Sequence, residues 1–285
     1  LYLTGDLSND TDSPVFDEGL ESAVKKFQLR HGRYPDGVAG SNTLYEMNVP
    51  IQERILQILV NMERCRWIPL DMKGDYLFVN IPAFSLSVFA NDSVIKSMRV
   101  VVGKKMNKTA IFTGKVNAVV FNPYWNVPPG IYRKEILPEI AKDSAYLKKN
   151  HMEWSGATLR QKPGPDNPLG RIKFVFPNSF NIYLHDTPGK QLFEKEQRDF
   201  SHGCIRIEDP QWLCEYLLKT DSSWNKGKIE KIIAKGKEQS VPLKKSLPVY
   251  ISYFTAWVDR TGKLQFRKDI YKKDPVLAAM LIGEK

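Results

Sequence analysis

The chain has 285 residues, of which 42% are hydrophobic and 26% charged, with a net charge of +10. That length gives room for about two domains with their own cores, and no run of about 18 apolar residues is present to cross a membrane as a helix. The charge admits nucleic acid, an anionic membrane surface or an acidic polymer as partner, or simply a lysine-rich solvated surface. The basic residues are scattered, with only short pairs such as Lys148-Lys149, Lys244-Lys245 and Lys272-Lys273. No zinc-finger spacing or basic-aromatic motif accompanies them, which excludes nucleic acid. The opening Leu1-Tyr-Leu-Thr, without Met or leader, reads as an internal start.

Residues 1–13 are rich in Asp, Asn and Ser (Asp6, Ser8, Asn9, Asp10, Asp12, Ser13) and predict a linker or loop. From 14 to 70 a small helical domain and a connecting helix are expected. Phe16, Leu20, Ala23, Val24 and Phe27 recur at helical spacing, and Gly32 stops that helix. Asp36-Gly37 and Gly40 mark turns, and Ser41 is placed to cap a short second helix. Asn48-Val-Pro50 is placed to cap a third, with Ile51, Ile55, Ile58, Leu59 and Met62 along one side.

After Pro69 the period changes. Tyr76–Ile81, Phe84–Phe89, Val94–Val102, Val116–Asn122, Ile172–Phe176 and Asn181–Leu184 predict short strands, with a hairpin turn at Asn91-Asp92. Residues 71–285 therefore predict a mainly-β sandwich or barrel-like domain in an α+β chain. Within it, residues of about 124–170 differ, being rich in Pro and Gly around a helical piece. They predict an insertion folded as a cap that limits water and recognises substrate. Helices are expected at 208–220, 228–236 and 275–282, and a hairpin joins Pro248–Val258 to Lys263–Ile270.

Three cysteines leave at least one free thiol. Cys214 lies beside an apolar helical stripe and reads as a small buried side chain. Cys65 ends the third helix, and a Cys65–Cys214 disulfide is an option. Cys204 differs from both. It follows Ser201-His202-Gly203, with His185 nineteen positions upstream. A thiol needs a base to become a thiolate, and a thiolate attacks acyl carbons. The preceding glycine permits a tight turn that aims the Gly203 and Cys204 amides at a developing oxyanion. Both histidines compete for the role of base. His185 is favoured because it ends a strand, with the Asp186 carbonyl or carboxylate to orient its other nitrogen. Arg206 and Tyr183, each two residues from a site residue, share its face. Arg206 is suited to a substrate carboxylate or to the thiolate. Tyr124 and Trp125 are expected to line the cleft, with His202 and Ser201 near the substrate. Two other readings are an inert buried thiol and a zinc site from His185, His202 and Cys204. No further metal or cofactor motif is present.

His185 with Ser201-His-Gly-Cys-Ile-Arg206 resembles the signature of the L,D-transpeptidase (YkuD) catalytic domain. The Trp125-Asn-Val-Pro-Pro run, Gly170-Arg171 and Tyr183-Leu-His-Asp-Thr-Pro188 resemble its YcbB-like branch, which carries a capping subdomain. Asp17 to Gly32, Asp36-Gly-Val-Ala-Gly40 and Thr43-Leu44 resemble the peptidoglycan-binding domain 1 family, either docking on the wall or serving as scaffold. The resemblance implies a cofactor-free enzyme of peptidoglycan biosynthesis acting in the periplasm, where wall assembly sets cell shape. Cys204 would attack the third-residue carbonyl of a tetrapeptide stem and release D-Ala. A side-chain amine of another stem would then resolve the thioester to give a third-to-third cross-link. It further implies acylation of that cysteine by carbapenems and contact with glycan, and allows a lipoprotein or other wall-assembly protein as partner. An L,D-carboxypeptidase or endopeptidase, with water as acceptor, and a non-catalytic wall-binding protein are the alternatives.

Overall fold

The computed structural model describes residues 1–10, 13–69 and 72–283. Thr11, Asp12 and the expected domain boundary at 70–71 lie outside the described residues. The chain forms two compact units. One comprises Leu1–Met72 with Asn80–Phe84 and Ser252–Lys285, the other Lys73–Val79 with Ser85–Ile251.

In the first unit, α1 (Glu18–Arg30) starts where Asp17 Oδ1 accepts the Leu20 amide at 2.8 Å, and acidic Glu18 and Glu21 sit in its first turn. It buries Ala23, Val24 and Phe27, as its spacing predicts. α2 (Ser41–Met47) begins after Gly40, so Ser41 is its first residue and not its cap. Asn48 closes α2 by donating to the Leu44 carbonyl and does not start the next helix, α3 (Ile51–Cys65), which follows Pro50 without a side-chain cap. The apolar stripe of α3 is exposed. Ile51, Ile55, Leu59 and Met62 keep 46–64% of their surface. The helix instead buries Val60, Asn61 and Arg64. Asn61 Oδ1 accepts the Thr255 amide at 2.9 Å, and Arg64 pairs with Asp274 at 2.7 Å. These polar ties draw the hairpin Ala256–Val258/Leu264–Phe266 and the helix Asp274–Ile282 into this unit, whereas the sequence assigned residues 252–285 to the β-domain. Residues 1–10 are turns and bends, mostly exposed. Asp6 is buried, and its carboxylate accepts from Arg30 Nε at 2.8 Å. Within this polar stretch one carboxylate, that of Asp6, is drawn into a buried ion pair.

The second unit is a curled sheet. β1 (Tyr76–Asn80), β2 (Ser85–Ala90), β3 (Ser93–Gly103) and β4 (Phe112–Phe121) precede an insertion. The insertion holds β5 (Trp125–Asn126), the helical turns α4 (Pro129–Ile131), α5 (Leu137–Lys142) and α6 (Tyr146–Lys149), a π-helical turn at Tyr132–Ile136, β6 (Met152–Ser155) and β7 (Thr158–Gln161). β5, β7 and β6 make their own small sheet, and Val127, Ile136 and Leu159 form a separate core. The main sheet resumes with β8 (Ile172–Val175), β9 (Leu184–His185), β10 (Asp199–Ser201) and β11 (Ile205–Ile207). Helices α7 (Pro210–Leu218) and α8 (Lys226–Ala234) lead to β12 (Gln239–Ser252).

The strand order is β10-β3-β11-β9-β8-β4-β12-β1-β2, and β2 pairs again with β3, so the sheet closes on itself. Closure gives β2 a second partner and leaves the short β10, paired with β3 alone, as the edge strand. The first half of β12 is absent from the sequence reading because Pro242 and Lys244-Lys245 argue against a strand. The register shift between Pro242 and Leu247 accommodates them. Asn181–Ile182 is likewise not strand. Asn178 ties a loop there, its side chain accepting the Phe180 and Ile182 amides and donating to the Phe176 and Ile182 carbonyls.

Candidate active site

Strand alternation builds the site. Phe174, Leu184 and Ile205 lie side by side on β8, β9 and β11 and are fully buried. The next rung, on the opposite face, is Lys173, His185 and Arg206. Cys204 precedes β11 by one residue and shares that face. The Ile205 amide donates to the Tyr183 carbonyl at 3.1 Å, which carries the register of the two parallel strands back to the thiol.

The turn before Cys204 is stapled from three sides. Ser201 Oγ donates to the Cys204 carbonyl at 2.5 Å and accepts the Gly203 amide at 3.1 Å. Buried Thr109 donates from Oγ1 to the Gly203 carbonyl at 2.8 Å while accepting the Gly103 amide at 2.9 Å. The Lys104 amide donates to the Ser201 carbonyl at 2.9 Å. Gly203 has φ of +118°, a conformation that side-chain-bearing residues rarely adopt. The Gly203 amide is thus engaged by Ser201, and Ser201 itself holds the turn.

His185 is buried. Its Nδ1–H donates to the Asp186 carbonyl at 2.5 Å, which fixes the tautomer and leaves the Nε2 lone pair as acceptor. Burial, aided by the charges of Arg206 and Lys173, holds its pKa down to about 3, so the resting ring is neutral. Burial also raises the Cys204 thiol above its ordinary value. The Tyr183 backbone N–H and hydroxyl and the charges of Lys173 and Arg206 oppose that rise. The thiol donates to the Asn181 carbonyl, with sulfur and oxygen 3.7 Å apart. Tyr183 stands edge-on to His185, their ring centroids 5.6 Å apart, and Lys173 Nζ lies 3.9 Å from the Tyr183 ring centroid. A neutral imidazole, a thiol and two cations on one sheet face make the equipment of a cysteine nucleophile.

The Asp186 carboxylate turns elsewhere. It accepts the Arg171 and Thr187 amides and Lys190 Nζ at 2.7–2.8 Å. His202 Nε2–H donates to Glu135 of the insertion at 2.7 Å, tying that subdomain to the turn before Cys204. Trp125 packs against the insertion's own core, and Arg160 covers the Tyr124 ring at 4.0 Å. Cys65 and Cys214 are free thiols, so the optional disulfide is not formed. Among the described residues, His185, His202 and Cys204 do not converge as a metal-ligating group.

Two residues escaped the sequence reading. Lys173 sits in an apolar strand, where alternation marks it as facing away from the core but not what it faces. Thr109 lies in a loop with no periodicity to single it out.

A family model described as "L,D-transpeptidase catalytic domain" matches residues 74–251. Another, described as "Putative peptidoglycan binding domain", matches residues 2–47, which takes in the segment expected to be a linker. A protein of Haemophilus influenzae named "Putative L,D-transpeptidase" is 32% identical across 89% of this chain. This chain spans 57% of that relative's length. Among solved structures, an L,D-transpeptidase from Mycobacterium smegmatis overlaps 63% of this chain and 58% of its own, at 14% identity and a TM-score of 0.35. One from Xylanimonas cellulosilytica overlaps 87% and 90%, at 13% identity and a TM-score of 0.32.

Proposed function

Because the chain belongs to the L,D-transpeptidase (YkuD) family, we propose that it cross-links peptidoglycan stems through a Cys204 thioester. His185 Nε2 takes the thiol proton, and the thiolate attacks the carbonyl of the third, L-configured stem residue. The C–N bond to the terminal D-Ala breaks, and the imidazolium returns its proton to the departing amine. A side-chain amine of a second stem then attacks the thioester, gives its proton to His185 and displaces the thiol. Each half-reaction thus needs one base, used twice. The Cys204 amide is the backbone donor offered to the oxyanion, since the Gly203 amide serves Ser201. The insertion acts as a cap over donor and acceptor, and the helical unit docks on glycan. The site of action is outside the cytoplasmic membrane, where the stems are. A lipoprotein or another wall-assembly protein is a further candidate acceptor or partner.

The observation that carries this reading is the neutral, tautomer-fixed His185 on the face of Cys204. Intact-protein mass spectrometry with a disaccharide-tetrapeptide tests it, with Cys204→Ala alongside. An acyl adduct absent from the variant, and a dimer joined through third residues, is the expected result. Tripeptide alone would make the enzyme a hydrolase. No adduct would leave a wall-binding protein.

A further inference from the structure

Proton transfer from Cys204 to His185 creates an imidazolium on a rung already holding two cations. Lys173 flanks His185 on β8 and Arg206 flanks it on β11. Among the described residues, neither flanking cation forms an ion pair with an acidic side chain. Arg206 Nε is buried without a hydrogen-bond partner, and among the described residues Lys173 Nζ rests only against the Tyr183 ring. The anions whose charge Lys173 feels are the Cys204 thiolate first and Glu238 second, and Glu238 is engaged elsewhere, accepting the Tyr124 amide at 2.7 Å. Both side chains are half-buried, and a cation withdrawn from water is stabilised when an anion joins it. The pair therefore describes a site built for a carboxylate that arrives with the substrate.

Geometry selects which carboxylate. Strands lie about 4.8 Å apart, so the Lys173 and Arg206 backbones stand about 10 Å apart, within reach of both side chains converging on one group. Arg206 is two residues, or roughly 6.6 Å, along the strand from Cys204. In a tetrapeptide stem the terminal carboxyl carbon lies within about 4 Å of the scissile carbonyl carbon, three bonds away. The distal carboxylate of a diamino acid is at the end of a long, flexible side chain.

Resting on the transpeptidase reading, we propose that Lys173 and Arg206 together bind the C-terminal carboxylate of the donor stem, so that Lys173 is a specificity-determining residue. The bound carboxylate balances the rung and lets His185 accept the thiol proton. A donor without that charge leaves the two cations facing a base that burial, and after it their own charge, already holds neutral.

The test compares acylation of Cys204 by a tetrapeptide free acid and by its C-terminal carboxamide, in the full chain. Charge-assisted hydrogen bonds of this kind correspond to about 10- to 100-fold in kcat/KM, so the wild type is expected to favour the acid by that ratio. In Lys173→Met the acid-to-amide ratio should collapse toward one, and Lys173→Arg should restore most of it. Independently of any variant, D-alanine should protect Cys204 from alkylation better than D-alaninamide. Equal acylation by acid and amide in the wild type overturns the proposal, as does a ratio unchanged in Lys173→Met. Acylation by neither peptide overturns the transpeptidase reading, and this one with it.

Discussion

Replacing Gly170 by alanine should cost more than the same change at Gly156, although both glycines have φ near +60° (+62° and +60°). At Gly156, in the turn between β6 and β7, an added Cβ meets nothing within 4 Å. Its cost is the left-handed backbone alone, about 1–2 kcal/mol. At Gly170 the Cβ would lie 2.3 Å from Asp186 Oδ2 and 2.6 Å from Asp186 Cβ. The second distance matters most, because a Cβ moves only with its backbone. Displacing Asp186 breaks the bond its carboxylate accepts from the Arg171 amide, 2.8 Å long, which adds about 1.5–3 kcal/mol. It also shifts the Asp186 carbonyl that holds His185 Nδ1. We expect Gly170→Ala to be less stable than Gly156→Ala by about 1.5–3 kcal/mol in urea denaturation. Cys204 acylation should slow about 10- to 100-fold in the first variant and change little in the second. Equal stabilities, or a Gly170→Ala enzyme that acylates normally, would refute the reasoning.

Alkylation of Cys204 by iodoacetamide, read by peptide mass spectrometry, should rise about tenfold per pH unit up to at least the ordinary thiol value of about 8.5, and a plateau near neutrality would contradict the raised thiol. His185 stays neutral in the folded state down to about pH 3, while the unfolded chain protonates it below about 6.5. The stability it supports is therefore present above 6.5 and lost as pH falls, at about 1.4 kcal/mol per unit, and His185→Asn should remove that component from the difference between the two proteins' stability–pH curves. Thr109→Val leaves the Gly103 amide and the Gly203 carbonyl without their bridge, for about 1–3 kcal/mol of stability. Thr109→Ser should recover most of it.

Much of the site was legible because its chemistry and its spacing coincide. Cys204, His185, Tyr183 and Arg206 were read onto one face by strand alternation, and the registers of β9 and β11 set them there. What alternation could not show was the third strand. Lys173 becomes a neighbour of His185 only through the β8–β9 pairing. The role of Ser201 was equally hidden, since a serine beside a nucleophile reads as a substrate contact until its two hydrogen bonds within the turn are seen. In the helical unit, periodicity correctly located α3 but not its buried side. Asn61 and Arg64 are buried by Thr255 and Asp274, which lie far along the chain, and no local pattern encodes a partner so distant.

The parallel pairing of β9 with β11 turns the interval between histidine and cysteine into a ruler. Parallel neighbours cannot be joined by a hairpin and need a crossover of a dozen or more residues. Nineteen positions here carry a 3₁₀ turn at Lys190–Glu194 and β10, which lies parallel to β3 before the chain enters the nucleophile turn. The slack is uneven. Glu194 to Gln197 are exposed, so extra residues there lengthen a surface loop at little cost. From Ser201 onward the chain is committed to a register or to a staple, and a single insertion there would rotate the thiol off the histidine's face. Tolerance to length and tolerance to substitution thus lie in different stretches of the same connection, and only the first can vary freely without moving the thiol off that face.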